Sequence, residues 1–155
     1  IYMFTNMAVF AVIVLHTNQT GLEDIKDYRG LSRTNPAIAL AMMIALFGLS
    51  GIPPLSGFVG KFFLFSIASK AGYHWLVALA AVNSTVSLYY YLRIVREMYI
   101  EPVAEDAKPL AISPVLAVII GVTAAASALL GVIPFFYEAI HAQTVNWFAV
   151  LLGHV

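Results

Sequence analysis

Two adjacent prolines, Pro53-Pro54, stand inside the most apolar part of this chain, where a helix would otherwise run on. They belong to Ser50-Gly51-Ile52-Pro53-Pro54-Leu55-Ser56-Gly57-Phe58-Val59-Gly60-Lys61, with apolar residues from Ala37 to Leu49 before it and from Phe62 to Ala68 after it. No Asp or Glu occurs between Asp27 and Glu97. Proline withholds a backbone donor and clashes with the preceding turn, so a helix passing through this point is interrupted. At membrane depth a non-helical stretch survives only when it is buried in protein or lines a watery cavity. Broken helices of this kind mark ion and substrate sites in transporters, and an ionisable residue beside one is a functional candidate by default. Lys61 is that residue, and Gly51, Pro53, Pro54, Gly57 and Gly60 form the expected break.

Membrane depth follows from composition. Of the 155 residues, 61% are hydrophobic and 10% charged, against about 25% charged in a soluble domain. The chain is therefore an integral membrane protein. With no cysteine, disulfides and thiolate metal sites are excluded, and a net charge of zero argues against nucleic acid as a partner. The sequence opens at Ile1 with neither an initiator Met nor a basic signal start, inside an apolar run too short to span. The expectation is a C-terminal fragment of a longer subunit, with the rest of that subunit and the lipid bilayer as partners.

The expected class is all-α, a polytopic transmembrane helix bundle with one broken helix. Residues 1–16 read as a partial span, and residues 19–35 as the first polar segment. Leu22, Ile25, Tyr28 and Leu31 recur there at helical spacing, which fits either a short amphipathic helix at the interface or a solvated loop. The broken span covers 36–73, further spans cover 75–92 and 111–133, and a tail at 137–155 is expected to lie along the surface. Small residues recur along two spans, Ala37, Ala41, Ala45 and Gly48, then Ala117, Gly121 and Ala125, a pattern that lets membrane helices pack closely.

Residues 36–73 are too many for one straight span and fit either a hairpin or one crossing with an unwound middle. Basic residues collect on the cytoplasmic side. A single broken crossing puts Lys26, Arg29, Arg33, Arg93, Arg96 and Lys108 together, with Lys70 opposite. A hairpin divides them nearly evenly. The single crossing is the better topology, and it places Lys61 near mid-membrane.

Lysines in spans often snorkel to the interface. Lys61 stands 12 residues before Tyr73, about 18 Å at helical rise, which makes snorkelling hard. Deep burial disfavours the charged form of a lysine, a condition for carrying a proton near neutral pH. The apolar spans hold no carboxylate, so a counter-charge is expected from helices outside this sequence or from another subunit. Asn83, Ser84, Ser87 and Tyr91 form a polar stripe on the next span, either bonding helix to helix or lining a water path to Lys61. Tyr89-Tyr90-Tyr91 with Arg93 reads as an interfacial belt and charged stop, and Arg93 and Glu97 are spaced to pair. His16, His74, His141 and His154 lack metal-ligand spacing and read as interface residues. Glu138 with His141 is half a di-metal motif with no second copy, and no metal site is expected.

Asp27-Tyr28-Arg29-Gly30-Leu31, Asn35-Pro36, Gly51-Ile52-Pro53-Pro54 to Gly57-Phe58-Val59-Gly60-Lys61-Phe62 and Leu88-Tyr89-Tyr90-Tyr91-Leu92-Arg93 together resemble one family. It is the antiporter-like membrane subunits of respiratory complex I, which are similar to subunits of cation/proton antiporters. Within it, the run from Asn83-Ser84 to Arg93 looks most like the subunit N branch (subunit 2 in mitochondrial naming). The resemblance covers about residues 1–133. It implies an inverted-repeat fold in which each repeat holds one broken helix, with Lys61 matching the mid-membrane lysine of the second. It also implies proton translocation in NADH:quinone oxidoreductase, in a bacterial cytoplasmic or mitochondrial inner membrane. Other membrane subunits of the same complex would be partners. NADH, FMN, iron–sulfur clusters and quinone would reside in other subunits, with no cofactor and no redox chemistry in this chain. A cation/proton antiporter or membrane-bound hydrogenase subunit is the alternative, and a passive helical anchor would leave Lys61 without a reason.

Overall fold

The computed structural model describes residues 2–53, 55–103 and 109–132, and every regular element among them is a helix. In chain order these are α1 (Tyr2–Thr20), a 3-10 turn (Ile25–Tyr28), α2 (Leu31–Thr34), α3 (Pro36–Ser50), α4 (Ser56–Lys70), α5 (His74–Tyr99) and α6 (Pro114–Val132). The tail at 137–155, with Glu138, His141 and His154, lies outside the described residues.

Glycine and proline, more than polarity, set the ends of these helices. α1 runs past the expected boundary at His16, because Asn18 and Gln19 do not stop a helix; Gly21, at φ 69°, does. α3 starts with Pro36 at its first turn, where a missing N–H costs nothing. It ends at Gly51, φ 83°. The N–H groups of Gly51 and Ile52 both return to the Phe47 carbonyl, at 3.1 and 3.2 Å, which is the usual glycine-terminated helix end. α5 continues through Arg93 and Arg96 to Tyr99, since arginine is a good helix former; the two residues lie in the helix and do not close it.

The polar segment after α1 forms neither a single amphipathic helix nor a solvated loop. Gly30, φ 66°, separates the 3-10 turn from α2, and a Cβ there would overlap Val103. Of the four apolar residues expected on one face, Tyr28 and Leu31 are buried while Leu22 and Ile25 are exposed. The Tyr28 ring stacks on His16 with centroids 4.3 Å apart. His16 is therefore a buried packing residue and not an ordinary interface histidine. Burial, and secondarily the Asp27 carboxylate, push the Tyr28 phenol above its usual range, so the ring stays neutral in that stack. Glu97 pairs with Arg29 at 3.0 Å, and Arg96 with Glu101 at 2.8 Å. The expected Arg93–Glu97 pair is absent among the described contacts, because the polar segment brings a second arginine within reach of Glu97.

The core lies where α1, α3 and α6 meet, built from Ala8, Val12, Met42, Ala45, Leu46, Ile120 and Ala124. Ala41, Ala45 and Gly48 form the buried stripe. A Cβ on Gly48 would stand 2.8 Å from Ser127 Oγ, and the Ser127 hydroxyl lies 3.0 Å from Thr5 Oγ1. The second stripe is different: Ala117, Gly121 and Ala125 are all exposed. Two side-chain amides fix the start of α6. Asn35 accepts from the Leu110 N–H (2.8 Å) and donates to the Leu110 carbonyl (3.1 Å). Gln19 does the same for Ala111.

The contact of Arg29 and Gly30 with Glu97 puts the polar segment and the far end of α5 on one side. α3 departs from that side, so α4 must end on the other before α5 returns. A hairpin at the prolines would leave α5 ending on the wrong face. α3 and α4 have 15 residues each, about 22 Å at helical rise, and each falls short of the roughly 30 Å hydrocarbon core. They cross as one interrupted span. Among the described residues, His74–Tyr99 is the helix long and apolar enough to cross alone. Single cysteines at Glu23 and Pro102, in the otherwise cysteine-free segment, are expected to react with an impermeant thiol reagent from the cytoplasmic side, and one at Ala71 from the opposite side. Labelling of Glu23→Cys and Pro102→Cys from opposite faces would contradict this arrangement.

Candidate functional site

Lys61 lies five residues into α4, yet its amine sits back at the break. Side chains on a helix lean toward its N-terminus, and a lysine stem is long enough to cover the intervening turn. Nζ donates to the Ser50 carbonyl at 2.7 Å, the Leu49 carbonyl at 3.3 Å and Ser84 Oγ at 2.9 Å. An ammonium has three donors, and all three are used.

The same contacts account for the end of α3, whose last four carbonyls have no partners within the helix. Phe47 O receives the Gly51 and Ile52 N–H groups and the Ser50 hydroxyl at 2.8 Å. Gly48 O rests against Gly57, where a Cβ would overlap it. Leu49 O and Ser50 O take Lys61. Aligned peptide dipoles leave about half a negative charge at a helix C-terminus, and this charge faces the ammonium. The counter-charge expected from outside this sequence is thus supplied, in part, by the backbone of α3. Residue types carry no sign of this, since any sequence ending a helix there presents the same carbonyls.

The break residues have distinct parts. Gly51 holds the left-handed turn, and a Cβ on it would lie 3.0–3.3 Å from the Lys61 stem and amine. Gly57 permits α4 to touch α3. Gly60 has none of the described residues within 4 Å of where a Cβ would be. Pro53 is exposed in the turn, and Pro54 lies outside the described residues. Ser56, the first residue of α4, is 1% exposed, and its hydroxyl has no partner among the described residues. Of the polar stripe on α5, Ser84 alone bonds to Lys61. Ser87 Oγ donates to the Asn83 carbonyl of its own helix at 3.0 Å, Asn83 is exposed, and Tyr91 is half-buried against the core. No cluster of His, Asp and Glu suited to a metal occurs among the described residues.

This arrangement, an interrupted membrane helix with a lysine drawn into its gap, can be set beside known proteins. The model of the family described as NADH:quinone oxidoreductase/Mrp antiporter, TM, matches residues 1–88. The chain belongs to that family. Subunit N of the NADH-quinone oxidoreductase of Trichlorobacter lovleyi is 43% identical over 147 residues, 94% of this chain and 30% of that protein. The subunit N of Moorella thermoacetica is 41% identical over 134 residues, 86% of this chain and 28% of its own length. A chain of respiratory complex I from Thermus thermophilus, solved with bound aureothin, superposes with a TM-score of 0.72 at 30% identity. That match covers 86% of this chain and 31% of the other. The chain thus spans about 30% of the length of these family members. Membership makes it a multi-pass segment of an energy-transducing membrane.

Proposed function

We propose that this chain is part of a proton-translocating membrane subunit of NADH:quinone oxidoreductase, with Lys61 as the group that takes and releases the proton. The observation that supports this most directly is the place of Lys61 Nζ, held in the gap between α3 and α4 by two carbonyls and one hydroxyl. A charge fixed by a carboxylate would be hard to discharge. A charge balanced by partial dipoles responds to smaller changes in its surroundings, because interactions at low dielectric fall slowly with distance. Redox events in other subunits would alter those surroundings, and Lys61 would gain or lose its proton in response. Electron transfer, with NADH, FMN, iron–sulfur clusters and quinone, belongs in this reading to other subunits of the complex. Relatives named as oxidoreductase subunits weigh against an antiporter or a hydrogenase.

The test is proton pumping alongside quinone reduction in membrane vesicles containing the complex with Lys61→Met. Methionine keeps the length of the apolar stem and removes the titrating group. Subunit content should stay near normal, since an ionisable group at membrane depth is costly to keep there and this offsets the loss of the amine's bonds to the Leu49 and Ser50 carbonyls, while pumping falls at least tenfold. Pumping at the natural rate would overturn the proposal.

A further inference from the structure

Each partner of the Lys61 amine has a fixed or a reversible role in hydrogen bonding. The Leu49 and Ser50 carbonyls only accept. The Ser84 hydroxyl both accepts and donates. It accepts from Nζ at 2.9 Å and lies 3.5 Å from the Ser50 carbonyl as a long donor. When the ammonium gives the proton that faces Ser84 to a water entering the gap, which carries it away as hydronium, it keeps two N–H groups, which the two carbonyls match, and it gains a lone pair. That lone pair faces Ser84, whose O–H has only to rotate from Ser50 toward Nζ.

We infer that Ser84 is the positioning residue that lets Lys61 change protonation state in place, accepting from the charged amine and donating to the neutral one. In both states the amine, the Leu49 and Ser50 carbonyls and the Ser84 hydroxyl are then all paired, with no shift of α3, α4 or α5. Without the hydroxyl, one N–H of the ammonium and the lone pair of the amine each lose a partner, and an unmet polar group at low dielectric is costly. The contact also ties α5 to the break, so the two halves of the crossing and the following span meet at one proton-bearing nitrogen. Asn83 and Ser87, one residue before and three after, have no such contact with Nζ. The inference rests on the proton-carrier reading of Lys61.

Ser84→Thr and Ser84→Val test it, because the two side chains have nearly the same shape and differ in the hydroxyl. In vesicles containing the full complex, Ser84→Thr should pump within about twofold of the natural protein, with a superimposable pH profile. Ser84→Val should pump about tenfold less, an effect of the size expected for one hydrogen bond to a charged group. Its pH profile should be displaced, with subunit content unchanged. Equal pumping by Ser84→Val and the natural protein would overturn the inference, as would equal loss in both variants, which would mark a packing role. Lys61→Met, measured in the same series, separates the two levels: normal pumping there removes the proton-carrier reading, whereas a defective Lys61→Met with a normal Ser84→Val removes only the role of Ser84.

Discussion

Lys61→Arg is expected to lose proton pumping almost as completely as Lys61→Met, at least tenfold, although it restores the positive charge. Arginine stays protonated at any pH the complex would survive, so it serves as a counter-ion but not as a carrier. The geometry sharpens the contrast. The lysine amine fits three acceptors with three donors, close to where a Cβ on Gly51 would be, 3.1 Å from Nζ. A guanidinium brings five donors in a rigid plane. It would keep the attraction to the α3 carbonyls and leave donors over. Subunit content in the membrane should remain near normal, and quinone reduction should fall with pumping if the two are tightly coupled. Recovery of half or more of the natural pumping rate by Lys61→Arg would mean that the site needs a fixed charge and no proton exchange.

Gly57→Ala should be the most damaging single methyl in the described chain. The added carbon would overlap the Gly48 carbonyl oxygen, and neither partner is a flexible side chain. Overpacking of this kind typically costs about 1–3 kcal/mol and sometimes more; here the relief must come from separating α4 from α3, which withdraws Lys61 from the Leu49 and Ser50 carbonyls. The expected result is a severalfold loss of assembled subunit, measured by immunoblot of isolated membranes, and loss of pumping in what remains. Gly60→Ala is the control, one turn along the same helix with none of the described residues near its added carbon, and should leave both quantities unchanged. If both substitutions are tolerated equally, α3 and α4 do not meet at Gly48 and Gly57.

How much of this could be read from residues alone varies with the kind of feature. The interruption at Gly51 was legible because glycine and proline act on the backbone directly. Lys61 stood out because a charge in an apolar setting needs a reason. The close approach at Gly57 and the lack of any described neighbour at Gly60 are indistinguishable in sequence, since each glycine stands between one apolar and one polar residue and only the neighbour across the gap differs. The same holds for the stripes of small residues: Ala45 and Gly48 pack inward while Gly121 and Ala125 are exposed, although the spacing is alike. Helical spacing points Glu97 to Arg93 because it sees only its own helix, and Arg29 arrives from 68 positions away in the chain. Ser84 shares its stripe with Asn83, Ser87 and Tyr91, and what distinguishes it is a distance to one nitrogen. The α3 carbonyls were invisible for a simpler reason, being common to every residue.

The paired amides of Gln19 and Asn35 have a consequence for how such a subunit tolerates change. Each meets both backbone groups of one residue, Ala111 and Leu110, much as a neighbouring strand would. Upstream, Val103 is seated against Gly30. The connection from α5 to α6 is therefore anchored at both ends to the same short polar segment, and α6 is oriented by those anchors instead of by the length of chain that leads to it. A change at Gln19 or Asn35, far away in sequence, would therefore strip two hydrogen bonds from the entry to α6, while the packing of Ile120 and Ala124 in the core would still hold the helix.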